Sequence, residues 1–109
     1  MTNYRPGDLV LIAFPFSTGT QTKDRPALVI LDTGDADVLV GKITRRRYST
    51  PFDISLTDWR AAGLLAPSVL RAHKLATIDK KYVRRTLGSL SPADRPNVSS
   101  AFHQILGNW

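Results

Sequence analysis

The segment Lys23-Asp24-Arg25-Pro26-Ala27-Leu28-Val29 concentrates groups able to do chemistry. Pro26 disfavours helix for the residue before it, so Arg25 is expected at the mouth of an extended run. A polar loop, Phe16 to Asp24, precedes it. A guanidinium fixed there can fork onto a phosphate through two parallel hydrogen bonds. Taken alone, the segment reads equally simply as a surface arginine paired with Asp24 or another carboxylate.

Charge distribution narrows the partner. The 109 residues carry a net charge of +6, and every acidic residue is aspartate. The excess is uneven: Lys42, Arg45, Arg46 and Arg47 stand together without an acid, and Lys80, Lys81, Arg84 and Arg85 form a second cluster. Clustered cations of this kind point to a polyanion, nucleic acid or an acidic protein, or else to a solvated basic surface. Arg45-Arg46-Arg47-Tyr48 can track a nucleic-acid backbone while Tyr48 stacks a base.

Several chemistries are excluded. No cysteine is present, so disulfides and thiolate metal sites are ruled out. His73 and His103 are too far apart, and too alone, to suggest a zinc site, and no metal is expected. No phosphate-binding glycine loop or nucleophile elbow occurs, and no cofactor is expected. The N-terminus lacks a signal-peptide pattern and Leu9–Phe14 is too short to span a bilayer, so a cytoplasmic protein that makes no membrane contact is expected.

The elements that must position these residues are mostly strands. Leu9–Phe14 and Ala27–Leu31 are apolar runs of strand length. From Val38 to Thr44 the sequence predicts a third strand, with Val38, Val40, Lys42 and Thr44 on one face. Phe52–Ser55, Ser68–Ile78 and Val83–Leu90 are further candidates, and Leu56–Leu65 reads as a loop or a single helical turn. A terminal helix is marked by Ser91 as cap, Pro92 at its first position and Asp94 completing a capping box. Val98, Ala101, Phe102, Ile105 and Leu106 follow at helical spacing, and Gly107 can stop it. Trp59 and Trp109 are expected in the core or at a subunit interface. Short strands followed by one helix predict a small barrel with a helix packed on it, in a single domain over residues 1–109.

In order along the chain, Gly7-Asp8-Leu9-Val10, Phe14-Pro15-Phe16, Lys23-Asp24-Arg25-Pro26, Lys42-Ile43-Thr44, Gly63-Leu64-Leu65-Ala66-Pro67-Ser68-Val69-Leu70-Arg71, Lys74-Leu75-Ala76-Thr77-Ile78-Asp79 and Leu87-Gly88-Ser89-Leu90 resemble the MazF/PemK (Kid) family of toxin ribonucleases. The resemblance implies a mostly β, SH3-like barrel with a C-terminal helix that forms a homodimer. It implies metal-independent cleavage of single-stranded RNA (mRNA), by 2′-hydroxyl attack that leaves a 2′,3′-cyclic phosphate. It also implies a cognate antitoxin whose acidic C-terminal tail lies over the RNA site. Arg25 matches the family's catalytic arginine and Thr44 its active-site Ser/Thr.

Arg71 and His73 stand where PemK-type members carry an arginine and an aspartate with acid and base roles; aspartate has become histidine here. A histidine suits proton transfer near neutral pH, so Arg71 and His73 join the expected catalytic set; the other reading makes His73 a spectator, and the departure leaves the base unassigned. Lys23, Lys42, Arg45, Arg46, Arg47, Tyr48 and Ser68 are the expected RNA contacts. The polar loop beside Arg25 is expected to close over RNA and to be displaced by antitoxin. Two other functions fit the same barrel: a CcdB-like toxin that binds DNA gyrase, or an inactive member that binds only RNA or antitoxin.

Overall fold

The structure, a computed structural model, describes residues 2–14 and 23–109. Six strands occur among them: β1 (Asp8–Phe14), β2 (Lys23–Leu31), β3 (Asp37–Thr44), β4 (Asp53–Ser55), β5 (Val69–Asp79) and β6 (Val83–Ser89). A 3₁₀ turn, Lys80–Tyr82, joins β5 to β6, and one helix, α1 (Arg95–Leu106), follows. The strands form a single antiparallel sheet in the order β4-β5-β3-β2-β1-β6. The protein is therefore mostly β with a terminal helix, but its sheet stays open, with β4 and β6 as the two edges.

Alternation along the strands creates two cores, one on each face. Leu9, Leu28, Ile43, Leu70 and Ala72 point to the face covered by Val98 and Ala101 of α1 and by Leu56, Ala62 and Leu64. Val10, Ile12, Ala27, Val29, Val38 and Val40 point to the other, where Tyr4, Tyr82 and Val83 pack against them. Between Gly41 and Lys42 the register jumps from Leu75 to Arg71, so three extra residues of β5 bulge there, and such an irregularity bends the pair. At one end the Asp32 carboxylate ties three pieces together. It bonds Lys80 Nζ at 2.8 Å and accepts the N–H groups of Tyr4 and Gly34.

Three expectations need correction. β2 begins at Lys23, not Ala27, because Lys23 to Pro26 pair with Phe14 to Leu11 of β1. Pro26 is tolerated because the β2–β3 ladder starts only at Ala27, leaving that side of β2 an edge at Pro26. The helix starts at Arg95, after a turn over residues 92–94, with Pro96 in its first turn. Asp94 does not cap it with its side chain: the buried carboxylate accepts the N–H groups of Thr57 and Asp58, at 2.9 Å each. Ser91 Oγ does accept the Asp94 N–H, at 3.2 Å, while the long-range bonds take the carboxylate because buried N–H groups are costly to leave unpaired. Trp109 is fully exposed, whereas Trp59 is half-buried against the core.

Residues 56–65, expected as a loop or a single helical turn, form a loop with turns over residues 57–63. Gly63 sits in this segment at φ +87°, and a Cβ on it would run into the carbonyl oxygen of Leu87 in β6. That close approach presses the segment onto the β6 edge and brings Leu64 and Leu65 to the site below.

Candidate active site

Beyond Ala27 and Lys42 the β2–β3 ladder stops. Continued, the same register would set Arg25 opposite Thr44. Instead β3 stays paired to β5 through Thr44, opposite Val69, while the start of β2 stays with β1. The strands part, and a cavity of about 450 Å³ opens between them. Arg25, Pro26, Ile43 and Thr44 form its strand walls, and Arg45 and Arg46 follow from the end of β3. Leu11 of β1, Asp24 of β2, Gly63 to Leu65, Ser68, and Arg85 and Leu87 of β6 line the rest.

Arg25 is exposed to this space. No carboxylate pairs with it among the described residues; Asp24 bonds Arg84 Nε instead, at 2.8 Å. Thr44 is half-buried, and its Oγ1 accepts the Arg46 N–H at 3.1 Å, which fixes both the hydroxyl and the turn into the arginine run. The Thr44 hydroxyl proton remains available to donate into the cavity. Ser68 is buried and spends its hydroxyl proton on the Ala66 carbonyl at 2.8 Å.

Two further cavities adjoin this one. The first, about 470 Å³, shares Arg25, Pro26 and Ile43 and carries Lys42 and Lys74. The second, about 670 Å³, shares Arg45 and Ser68 and carries Arg47 and Tyr48. Cations thus border three neighbouring spaces, and Arg25 lines both of the first two. Such a series of like charges suits a chain of phosphates.

Arg71, His73 and Lys23 lie outside these cavities. Arg71 Nε donates to Asp53 Oδ1 at 2.8 Å, and its guanidinium carbon lies 3.6 Å from the Tyr48 ring centroid. Burial would push the Asp53 carboxyl up, but hydrogen bonds from Arg71 and from the Thr50 hydroxyl and N–H hold it down at about 2. His73 packs at a tilt on Phe52, with Nε2 3.5 Å from an Arg71 nitrogen. Its Nδ1 is buried and has no hydrogen-bond partner among the described residues. This cluster holds Tyr48, and with it the arginine run, against β5. The loop expected to gate the site lies outside the described residues, apart from Lys23 and Asp24 in β2.

Asp24, Lys74 and Leu65 are wall residues that were not among the expected contacts, and Arg85, expected either at a polyanion or on a solvated basic surface, lines the cavity. Spacing alone gave no signal for Arg85 or Lys74, since each reaches the site only through the pairing of β6 or β5.

Over residues 5–106 the chain matches the family model of PemK-like, MazF-like toxins of type II toxin–antitoxin systems. The chain belongs to that family. Among solved structures, an endoribonuclease from a mycobacterial species superposes with a TM-score of 0.77 at 18% identity, over 98% of this chain and 94% of that one. MazF from Deinococcus radiodurans gives 0.73 at 23% identity, over 98% and 99% of the two chains. A chain of a MazE–MazF structure from the same organism gives 0.77 at 21% identity, over 98% of each chain. A search of curated proteins by sequence finds no match. For this MazF-like toxin the shared architecture is thus the six-stranded sheet with its terminal helix. Among its described residues no helix is long and apolar enough to cross a membrane.

Proposed function

We propose that this toxin-family protein is a metal-independent endoribonuclease that cuts single-stranded RNA such as mRNA at the cavity between β2 and β3. The observation that carries the reading is that Arg25, exposed and without a carboxylate partner among the described residues, shares one cation-rich cavity with Thr44. In this reading the ribose 2′-oxygen attacks the adjacent phosphorus, the P–O5′ bond breaks, and a 2′,3′-cyclic phosphate and a 5′-hydroxyl result. Negative charge grows on the non-bridging oxygens during attack. A preplaced guanidinium and a hydroxyl donor stabilise that charge more than they stabilise the ground state. Arg25 acts as this electrostatic clamp and Thr44 as the second donor. Lys42, Arg45, Arg46 and Arg47 steer the strand, Lys23 adds to the field, and Tyr48 offers a stacking surface. Ser68 shapes the wall. Arg71 and His73 act by holding Tyr48 in place.

The protein partners follow from the same charge. A cognate antitoxin bearing an acidic C-terminal tail complements the cavity, and the toxin works as a homodimer. The MazE–MazF structure from Deinococcus radiodurans supports the antitoxin part of that reading.

The test is cleavage of single-stranded RNA in EDTA with analysis of the new ends. Cyclic phosphate ends are expected, with cleavage lowered ~10²–10³-fold in Arg25→Ala, the loss typical of a missing oxyanion donor. Thr44→Val, which keeps shape and removes the donor, is expected to lower the rate in the same direction by a smaller factor. Wild-type rates in Arg25→Ala would sink the reading.

A further inference from the structure

The 2′-hydroxyl must lose its proton as it attacks, and among the described residues the cavity wall carries three side chains with oxygen acceptors: Asp24, Thr44 and Ser68. Two are committed. Thr44 Oγ1 already accepts the Arg46 N–H, and Ser68 Oγ is turned to the Ala66 carbonyl. Neither hydroxyl is basic enough to hold a proton near neutral pH, whereas an ionised carboxylate accepts protons only. His73, at the position where a family aspartate would stand, lies outside the cavity.

We propose that Asp24 is the general base of this site, a deepening that rests on the ribonuclease reading above. Arg84 Nε holds Oδ1 at 2.8 Å, and no hydrogen bond from the described residues reaches Oδ2. One oxygen is thus anchored and the other is free to take a proton, the arrangement in which a base is oriented by a third group. The Asp24 side chain remains 39% exposed, so a ribose can reach it. Arg84 of β6 is its charged partner, and among the described residues Arg25 of β2, Arg45 and Arg46 after β3 and Arg85 of β6 line the same cavity, all cationic. They offset its repulsion of the phosphate.

In the step, Asp24 Oδ2 takes the 2′-hydroxyl proton while the 2′-oxygen bonds to phosphorus. The P–O5′ bond breaks with its electron pair on the 5′-oxygen, which takes a proton from a water molecule. Asp24 then returns its proton to the hydroxide left behind. Nothing is oxidised or reduced, and the water is restored.

The experiment compares single-turnover RNA cleavage with binding of an all-2′-deoxy strand that cannot react. Asp24→Asn is expected to cleave ~10²–10⁴-fold more slowly, the range of a lost general base. It should bind the deoxy strand as tightly as wild type or more tightly, because a negative charge has left an anion site. Arg84→Gln, which removes the anchor and keeps the base, should retain far more activity. Asp24→Gly should regain cleavage when formate is added, a rescue that a purely structural carboxylate would not show. Asp24→Asn at the wild-type rate, or a loss matched by Arg84→Gln without formate rescue, would overturn the assignment. If wild type cleaves and Arg25→Ala does not, such a result removes Asp24 alone. If wild type cleaves no RNA, the ribonuclease reading falls and the base with it.

Discussion

Arg71 lies between Asp53, whose carboxylate it bonds at 2.8 Å, and the face of Tyr48, 3.6 Å away. The Asp53 side chain is fully shielded, and the Arg71 side chain is 11% exposed. A guanidinium gripped on two sides serves to fix a loop. It links β4 and β5 to the arginine run that follows Thr44.

This pair makes stability depend on acid. Asp53 is held at about 2, below its ordinary value of 3.8. A depressed carboxylate contributes stability above the unfolded value and loses it as pH falls through the folded one. The contribution should therefore be present at neutral pH and disappear between about pH 4 and pH 2. In Asp53→Asn the unfolding free energy at pH 7, read from urea denaturation, should fall by on the order of 1–3 kcal/mol, the cost of weakening buried charged hydrogen bonds. The difference from wild type should narrow towards pH 2. A constant difference from pH 7 to pH 2 would contradict this.

His73→Ala separates packing from proton transfer. The ring lies on Phe52 outside the cavity, so cleavage should fall by less than about tenfold, against the ~10²–10⁴ of a lost general base. A larger loss in RNA cleavage with unchanged thermal stability would restore His73 as a catalytic residue.

Asp94 anchors the segment that carries Leu64 and Leu65. Asp94→Ala strands the Thr57 and Asp58 N–H groups. Urea unfolding should show a loss of about 1–3 kcal/mol, typical of buried unsatisfied donors. A change within error would mean that water replaces the carboxylate.

Gly63 and Gly34 form a matched pair. Both have positive φ, +87° and +90°, but a Cβ on Gly34 meets open space, while one on Gly63 strikes Leu87. Gly34→Ala should cost about 1–2 kcal/mol for the left-handed backbone alone. Gly63→Ala should cost about 1–3 kcal/mol more because the contact must also yield. Equal melting temperatures for the two variants would argue against the tight approach of residues 56–65 to β6.

Much was legible in the chain itself. Period-two alternation over Val38–Thr44 gave the faces of β3, since side-chain direction in a strand is a local property. Helical spacing from Val98 to Leu106 gave α1, and the ordered motifs from Gly7 to Leu90 gave the family. The helix start was misread because Ser91, Pro92 and Asp94 make a plausible local cap, while the buried N–H groups that claim the Asp94 carboxylate lie more than thirty residues away.

What tertiary structure alone decided is where ladders end and which strands adjoin. Arg25 and Thr44 share a cavity because β3 keeps company with β5 while the start of β2 stays with β1. Asp24 and Arg85 reach the same space through strand pairing, and Arg71 is drawn away by Asp53. Sequence sets the direction of each side chain from its neighbours in the chain. The meeting of distant side chains depends on register and burial summed over the whole sheet, which no local pattern carries.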